Sequence, residues 1–279
     1  MNNKVINAKP MKMITDSSSK GNQPKWLADG LWYKADHMGY EGLSEIIISK
    51  LLAKTNIQNF VIYKPTYIEY EGKKLVGCYS ENFKKDNETI YTLEKLFRAY
   101  TGQSLAKALL DYPEVKDRIK FTVDFIEKHT NLENVDAYLT AMLELDAFFL
   151  NEDRHTNNIA FIRNDDTEEF SFCPYFDFGL SLLSDTNDYP IDADIYDCIS
   201  KVKAKPFDTD FDLQMDSAEE LYGLQFAIGF TENDIIKAVD ECKEYYDEAT
   251  RNRVKNILLA RRNKFKYLIK QPVHTKRAT

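Results

Sequence analysis

The spacing of hydrophobic and polar positions predicts a strand-rich first part of the chain. Leu31–Ala35 is a β-prone run, and residues 59–83 predict two further strands that meet at a Glu71-Gly72 turn. Between the first strand and the second, leucines and isoleucines three and four positions apart predict one helix. We therefore expect a small, mainly β region in residues 1–84.

From residue 85 onward the pattern changes to helical spacing. Apolar side chains from Ile90 to Tyr100 share one helical face, and the run before residue 150 predicts the longest apolar helix. Residues 159–179 predict a β-hairpin between helices. Further helices are predicted near residues 217–228, 231–247 and 250–269. The pattern predicts an α+β chain, with a small β-rich N-lobe in residues 1–84 and a large helical C-lobe in residues 85–279.

Composition narrows the class of protein. The chain has 279 residues, of which 43% are hydrophobic and 13% aromatic, so it can build a substantial core. No apolar run approaches the roughly 18 residues of a membrane span, and no secretory signal is evident. Four scattered cysteines without a C-x-x-C pair indicate a reducing, cytoplasmic setting. The net charge of -8 disfavours direct nucleic-acid binding, and we expect no membrane partner.

A polar octet, NEDRHTNN, lies between two apolar segments and carries the candidate chemistry. Within it Asp153 and Asn158 are five positions apart, and Asp177 follows beyond the predicted hairpin. Phosphoryl transfer uses one carboxylate to orient the attacking hydroxyl, and an amide oxygen with a second carboxylate to hold Mg²⁺. The alternative is a turn rich in Asn and Asp that caps a helix. The position of Asp177 favours the phosphoryl-transfer interpretation.

The first part of the chain offers residues that would complete a nucleotide site. Lys34 lies on the first predicted strand and Glu45 on the following helix, an arrangement that recurs in ATP sites. Lys64 competes for this role, but it precedes a proline and no helix glutamate follows it. Upstream, the small polar residues of a flexible loop could fold their backbone N–H groups over phosphates. These residues are Ser17, Ser18, Ser19, Lys20 and Gly21.

The segments NEDRHTNN and FDFG together resemble the catalytic and metal-binding loops of the HipA-like serine/threonine protein kinases, a bacterial family that includes the CtkA type. The resemblance covers Asp153, Arg154, His155 and Asn158. More loosely, LWYKA and YEGLSEIIISKLL are similar to the family's nucleotide lysine and glutamate-bearing helix, and LVGCYSENF to its hinge strand. It implies a two-lobed, protein-kinase-like fold that binds ATP in the cleft between the lobes.

The resemblance also implies roles for individual residues. Asp153 would be the catalytic base, Asn158 and Asp177 would bind Mg²⁺, and Lys34, fixed by Glu45, would contact phosphates. Adenine would be received by backbone groups near Glu81, Asn82 and Phe83.

In toxin kinases of this family a serine of the phosphate loop can be self-phosphorylated. Ser17, Ser18 and Ser19 are the candidates here, and the resemblance does not choose between them. The extra N-terminal subdomain of full-length HipA proteins does not fit before Lys34. An antitoxin partner would therefore be a separate protein or absent.

Three supporting residues have alternative roles. Arg154 either orients the loop or stabilises charge during transfer, and His155 is favoured as a hydrogen-bonding group over a metal ligand. Asp146, inside an apolar helix, is expected to brace the loop.

The sequence thus predicts an ATP- and Mg²⁺-dependent kinase that acts on a serine or threonine of a protein substrate. The alternatives are a kinase of small molecules or lipids, and a nucleotide-binding pseudokinase that acts through a partner. The presence of all three metal and base residues favours an enzyme.

Overall fold

The computed structural model describes residues 5–7 and 23–269, and these residues form an α+β structure. Its strands are β1 (Val5–Asn7), β2 (Lys25–Ala28), β3 (Leu31–Ala35), β4 (Lys64–Tyr70), β5 (Lys73–Glu81), β6 (Glu88–Thr92), β7 (Ala160–Asn164) and β8 (Phe170–Phe172). The first five form one sheet in the order β1-β4-β5-β3-β2, and the last three form a second sheet in the order β6-β7-β8. β1 runs parallel to β4, and the other described pairs are antiparallel.

Two tight turns fix the register of the larger sheet. Asp29 and Gly30 connect β2 to β3 with φ angles of 50° and 74°, and Glu71 and Gly72 connect β4 to β5 with φ angles of 53° and 74°. Positive φ at both central positions defines a two-residue turn whose twist matches the flanking strands. The predicted Glu71-Gly72 hairpin is confirmed.

Helix α1 (Glu41–Leu52) packs against β4 and β5. Its isoleucines and leucines are almost completely buried, and so is Glu45, which lies at 1% exposure. Burial of aliphatic side chains stabilises this contact by about 1.5–3 kcal/mol for each side chain. A buried carboxylate such as that of Glu45 costs free energy unless it is paired. The partners of Glu45 therefore indicate where the candidate site lies.

The C-terminal region is mainly helical. Its helices are α2 (Leu93–Thr101), α3 (Leu105–Ala108), α4 (Val115–Thr130), α5 (Val135–Phe149), α6 (Ile195–Lys201), α7 (Phe211–Tyr222), α8 (Glu232–Asp240) and α9 (Glu248–Lys264). A short 3₁₀ turn follows α3 at Leu109–Asp111, and another follows α9 at Lys266–Leu268. None of the helices in the described ranges is both long enough and apolar enough to span a membrane.

Helix α5 is the centre of this region and leads into the polar octet. Its inward-facing residues are buried against α4, α7 and α9, and Phe148 contacts the rings of Phe226, Phe230 and Phe265. The helix ends at Leu150, whose left-handed φ of 58° turns the chain sharply. The predicted long apolar helix is confirmed. Residues 151–158, which we call the 151–158 loop, follow directly after its C-terminus.

Two helix predictions were wrong in their bounds. Ile90 belongs to β6 rather than to a helix, because residues 88–92 pair with β7 and Thr92 then caps α2 by accepting a hydrogen bond from Lys95. The helix predicted near residues 217–228 lies at Phe211–Tyr222, where Asp210 caps its first turn. The predicted α+β class, with a small sheet first and helices after it, is confirmed. The boundary at residue 84 stays a prediction.

Candidate active site

Lys34 joins the two regions of the chain in one ion-pair cluster, in which Glu45 is buried and Asp177 is partly exposed. Its Nζ donates to Glu45 Oε1 over 2.7 Å and to Asp177 Oδ1 over 2.8 Å. Lys34 is on β3, Glu45 is on α1, and Asp177 follows β8. The backbone N–H of Phe178 donates to the second oxygen of Glu45 over 3.0 Å. Glu45 therefore positions both the lysine and the segment that carries Asp177.

The electrostatics of the cluster keep Asp177 ionised. Burial acts to raise the pKa of Asp177, but the charge and hydrogen bond of Lys34 outweigh it and lower that pKa to about 2. Burial likewise raises the pKa of Glu45, which Lys34 offsets only in part. For Lys34, burial acts to lower the pKa, but Asp177 and Glu45 raise it well above its usual value. A protonated lysine therefore lies beside a carboxylate with a retained charge.

The 151–158 loop folds tightly around Asp153 and Asn158. Asn158 Nδ2 donates to the Asp153 carbonyl oxygen over 2.8 Å and lies 3.5 Å from Asp153 Oδ2. The backbone N–H of His155 also donates to the Asp153 carbonyl. Since the amide nitrogen of Asn158 faces Asp153, its amide oxygen is the group suited to a metal.

Arg154 connects this loop to the segment before Asp177. The side chain is 1% exposed and pairs with Asp146 through Nε at 2.9 Å and Nη2 at 3.1 Å. Its Nη1 donates to the carbonyl oxygens of Asn158, at 2.9 Å, and Phe176, at 3.1 Å. These contacts support the orienting role for Arg154 and the bracing role for Asp146. A guanidinium committed to these acceptors is poorly placed to stabilise charge during transfer.

His155 lies at the edge of the loop and makes local contacts. Its Nδ1 accepts from the backbone N–H of Asn157 over 3.2 Å, and its Nε2 lies 3.7 Å from Asp153 Oδ2. Within residues 5–7 and 23–269, no group of three or more His, Cys, Asp or Glu side chains could hold a metal. The contact between Nδ1 and Asn157 favours a hydrogen-bonding role for His155.

Lys205 is a contact of the site that the sequence did not predict. Its Nζ lies 3.2 Å from Asp153 Oδ1, although the two residues are 52 positions apart. Lys205 lies in the polar segment between α6 and α7. A lysine in a polar loop carries no sequence signal of its own, so only the fold could reveal this contact.

A cavity of about 450 Å³ opens beside the Lys34 cluster. Its polar lining includes Lys34, Asn158 and Asp177, and its apolar lining comes from both sheets and from segments next to them. Those apolar residues are Leu27, Trp32, Val61, Tyr63, Phe83, Ile90, Ala160 and Phe176. The size is in the range of small-molecule sites, and a lining with both charged and apolar residues suits a nucleotide.

The remaining residues that were predicted to bind the nucleotide differ in where they lie. Asn82 and Phe83 line the cavity, and the Oδ1 of Asn82 accepts from Trp32 Nε1 over 3.2 Å. Glu81 is exposed at the end of β5 and does not line it. The predicted phosphate loop lies outside the described residues; it comprises Ser17, Ser18, Ser19, Lys20 and Gly21.

Comparisons with known proteins support the fold through structure alone. No protein-family model matches the chain, and no curated protein matches it in sequence. Its structure is similar to the crystal structure of the Helicobacter pylori proinflammatory kinase CtkA, with a TM-score of 0.60 and 15% identity over 94% of this chain and 95% of that chain. A weaker likeness connects it to Shewanella oneidensis HipA, in a complex with HipB and operator DNA. That match has a TM-score of 0.40 and 13% identity over 90% of this chain and 65% of HipA. The chain therefore has the fold of the CtkA kinase, as the resemblance implied.

Proposed function

We propose that this chain is an ATP- and Mg²⁺-dependent phosphotransferase that phosphorylates serine or threonine in a protein substrate. The observation that carries the proposal is the Lys34–Glu45–Asp177 cluster beside a nucleotide-sized cavity, whose lining also includes Asn158. The kinase fold shared with CtkA supports it. Phosphoryl transfer needs positioning and charge neutralisation more than covalent chemistry, and these residues supply both.

Each side chain has a role that its surroundings support. Lys34 holds the phosphates of ATP, and Glu45 keeps the lysine in place. Asp153 accepts a hydrogen bond from the substrate hydroxyl and so orients it for attack. Asp177, with its low pKa, and the amide oxygen of Asn158 are hard oxygen donors that fit Mg²⁺. When bound, the metal neutralises charge on the phosphates.

The apolar walls near Asn82 and Phe83 would receive the adenine, with backbone groups of residues 81–83 as hydrogen-bonding partners. We propose that the Ser17–Ser19 loop covers the phosphates and is a site of self-phosphorylation. We also propose a division into lobes at residue 84, which rests on the change in hydrophobic pattern, and a toxin role with a separate antitoxin, which rests on the family resemblance. A cytoplasmic setting is supported by the four cysteines, all of which are buried and unpaired.

The experiment is transfer of label from γ-labelled ATP with Mg²⁺, alone and with a cell lysate. The parent chain is compared with Asp153→Ala and Asp177→Ala, and with Asp124→Ala, whose side chain is 59% exposed on α4. We expect the parent and Asp124→Ala to label protein, and both site variants to lose at least about 100-fold in rate. Phosphoamino-acid analysis should show serine or threonine.

Other outcomes would select other functions. Binding of ATP without transfer would favour the pseudokinase, and label in small molecules alone would favour a metabolite or lipid kinase. Equal labelling by the parent and both site variants would overturn the residue assignments. Mapping of any self-labelled position tests Ser17, Ser18 and Ser19 directly.

A further inference from the structure

We propose that Lys205 is a further catalytic residue, whose ammonium holds Asp153 and contacts the phosphoryl group during transfer. The inference rests on the proposed function and deepens it. In the step concerned, the substrate oxygen forms a bond to the γ-phosphorus and the bond to the β,γ-bridging oxygen breaks. The bond's electron pair leaves with ADP, and the hydroxyl proton passes to Asp153.

The contact with Asp153 is specific to one carboxylate oxygen. Lys205 Nζ donates to Oδ1 over 3.2 Å, whereas Asn158 and His155 face Oδ2 at 3.5 Å and 3.7 Å. The carboxylate is therefore oriented from two sides by different segments of the chain. An oriented carboxylate loses less entropy when it aligns the nucleophile.

The backbone on both sides of Lys205 is anchored by burial and by hydrogen bonds, which restricts where the lysine side chain can lie. Ala204 and Phe207 on either side are buried at 2% and 1% exposure. The N–H of Ala204 donates to the Thr209 carbonyl over 2.9 Å, and the N–H of Phe207 donates to Gln214 Oε1 over 2.8 Å. Between these anchors the Lys205 side chain keeps 34% exposure.

Two other cations near the proposed reaction centre, Arg154 and Lys34, are held by different partners. Arg154 is buried against Asp146 and two carbonyl groups, and Lys34 bridges Glu45 and Asp177. A hydroxyl held by Asp153 lies about 3 Å from its carboxylate, and the reacting phosphorus about 3–3.5 Å beyond it. In the proposed complex the Lys205 ammonium, on its flexible four-carbon stem, extends from Asp153 toward the phosphoryl oxygens.

The test compares Lys205→Met, Lys205→Arg and the control Lys203→Met, which removes an exposed lysine two positions away. Single-turnover transfer is measured at saturating MgATP, and affinity for a non-hydrolysable ATP analogue with Mg²⁺ is measured by calorimetry. We expect Lys205→Met to slow transfer by about 100- to 1,000-fold, the usual effect of removing one charge-stabilising donor. Its nucleotide affinity should change by less than about threefold, since the lysine acts mainly in the transition state.

Lys205→Arg should recover a measurable part of the rate, and Lys203→Met should match the parent. Far-UV circular dichroism and the analogue affinity of Lys205→Met report whether the variant is folded. A parent-like rate in Lys205→Met would overturn the role of Lys205 and leave the proposed function intact. Loss of affinity in proportion to rate, or an equal loss in Lys203→Met, would also overturn it. Absence of transfer by the parent chain would overturn both proposals together.

Discussion

At the scale of single residues, Arg154 is the side chain on which the geometry of the site depends most. It pairs with Asp146 at the end of α5 and donates to the Asn158 and Phe176 carbonyls. Asp146 is buried too, and Asn151 Nδ2 also donates to it over 2.9 Å. Breaking a buried pair leaves an uncompensated charge, which costs far more than the pair contributes when it is intact.

Replacement of Arg154 by Met should lower the free energy of unfolding by about 3–5 kcal/mol, because Asp146 would lose its charged partner. Urea unfolding followed by far-UV circular dichroism measures this. The control is Arg163→Met, which breaks a pair with Glu168, whose side chain is 76% exposed; we expect at most about 1 kcal/mol there. The double variant Asp146→Leu/Arg154→Met should recover part of the loss. A single variant within 1 kcal/mol of the parent would contradict the prediction.

Site residues that lie close together in the sequence could be predicted where they belong to one motif. Asp153 and Asn158 share one loop, and the Lys34–Glu45 pair follows from a strand and the next helix. Lys205 could not be predicted, because its contact with Asp153 depends on how the chain returns after α6. The same limit applies to the bond between Arg154 and the Phe176 carbonyl.

At the scale of elements, the two turns of the larger sheet differ in one residue. The β2–β3 turn has Asp followed by Gly, and the β4–β5 turn has Glu71 in the same left-handed conformation. Asn and Asp tolerate this conformation because their short side chains hydrogen-bond locally, and longer side chains do not.

Replacement of Glu71 by Asn should therefore raise the free energy of unfolding by roughly 0.5–1 kcal/mol. Chemical denaturation is the measurement. Asp29→Asn is the matched control, since its turn already carries a tolerated residue, and we expect almost no change. An effect of equal size in both variants would point away from backbone conformation.

A long helix such as α5, whose residues are mostly apolar, could be predicted from the sequence. The short strand β6 could not. The apolar run of α5 is buried on nearly every side, so its pattern is continuous. In β6 the apolar Ile90 coincides with the helical spacing of α2, and the pairing with β7, which comes about 70 positions later, decides between strand and helix. A contact over that distance is invisible to local periodicity.

At the scale of the whole molecule, the cavity depends on both regions, because its lining includes residues of both sheets and of the 151–158 loop. A ligand that contacts all of them binds the folded chain and not the unfolded one. The succession of a small β-rich region and a larger helical region was predictable from the sequence. That Lys34 and Asp177 belong to one site was inferred from the residue pattern of ATP sites and from the family resemblance, whereas their direct contact depends on the fold.

MgATP should therefore stabilise the whole chain, by about 2.7 kcal/mol at a ligand concentration 100 times the dissociation constant. Thermal unfolding with and without MgATP measures the shift. Asp177→Asn should show a clearly smaller shift, since its amide attracts Mg²⁺ less strongly, whereas Asp124→Asn should behave like the parent. Equal shifts for the Asp177 and Asp124 variants would remove Asp177 from the nucleotide site.

The pairing of Lys34 with Asp177 also has a consequence for the order of folding events. The two residues are 143 positions apart, and closing a chain segment of that length costs roughly 4 kcal/mol in entropy. An ion pair alone does not supply that much, so the packing of α1 and the β7–β8 hairpin has to come first. The pair therefore forms late, and a chain that is still emerging or refolding cannot assemble the proposed nucleotide site before its fold is complete.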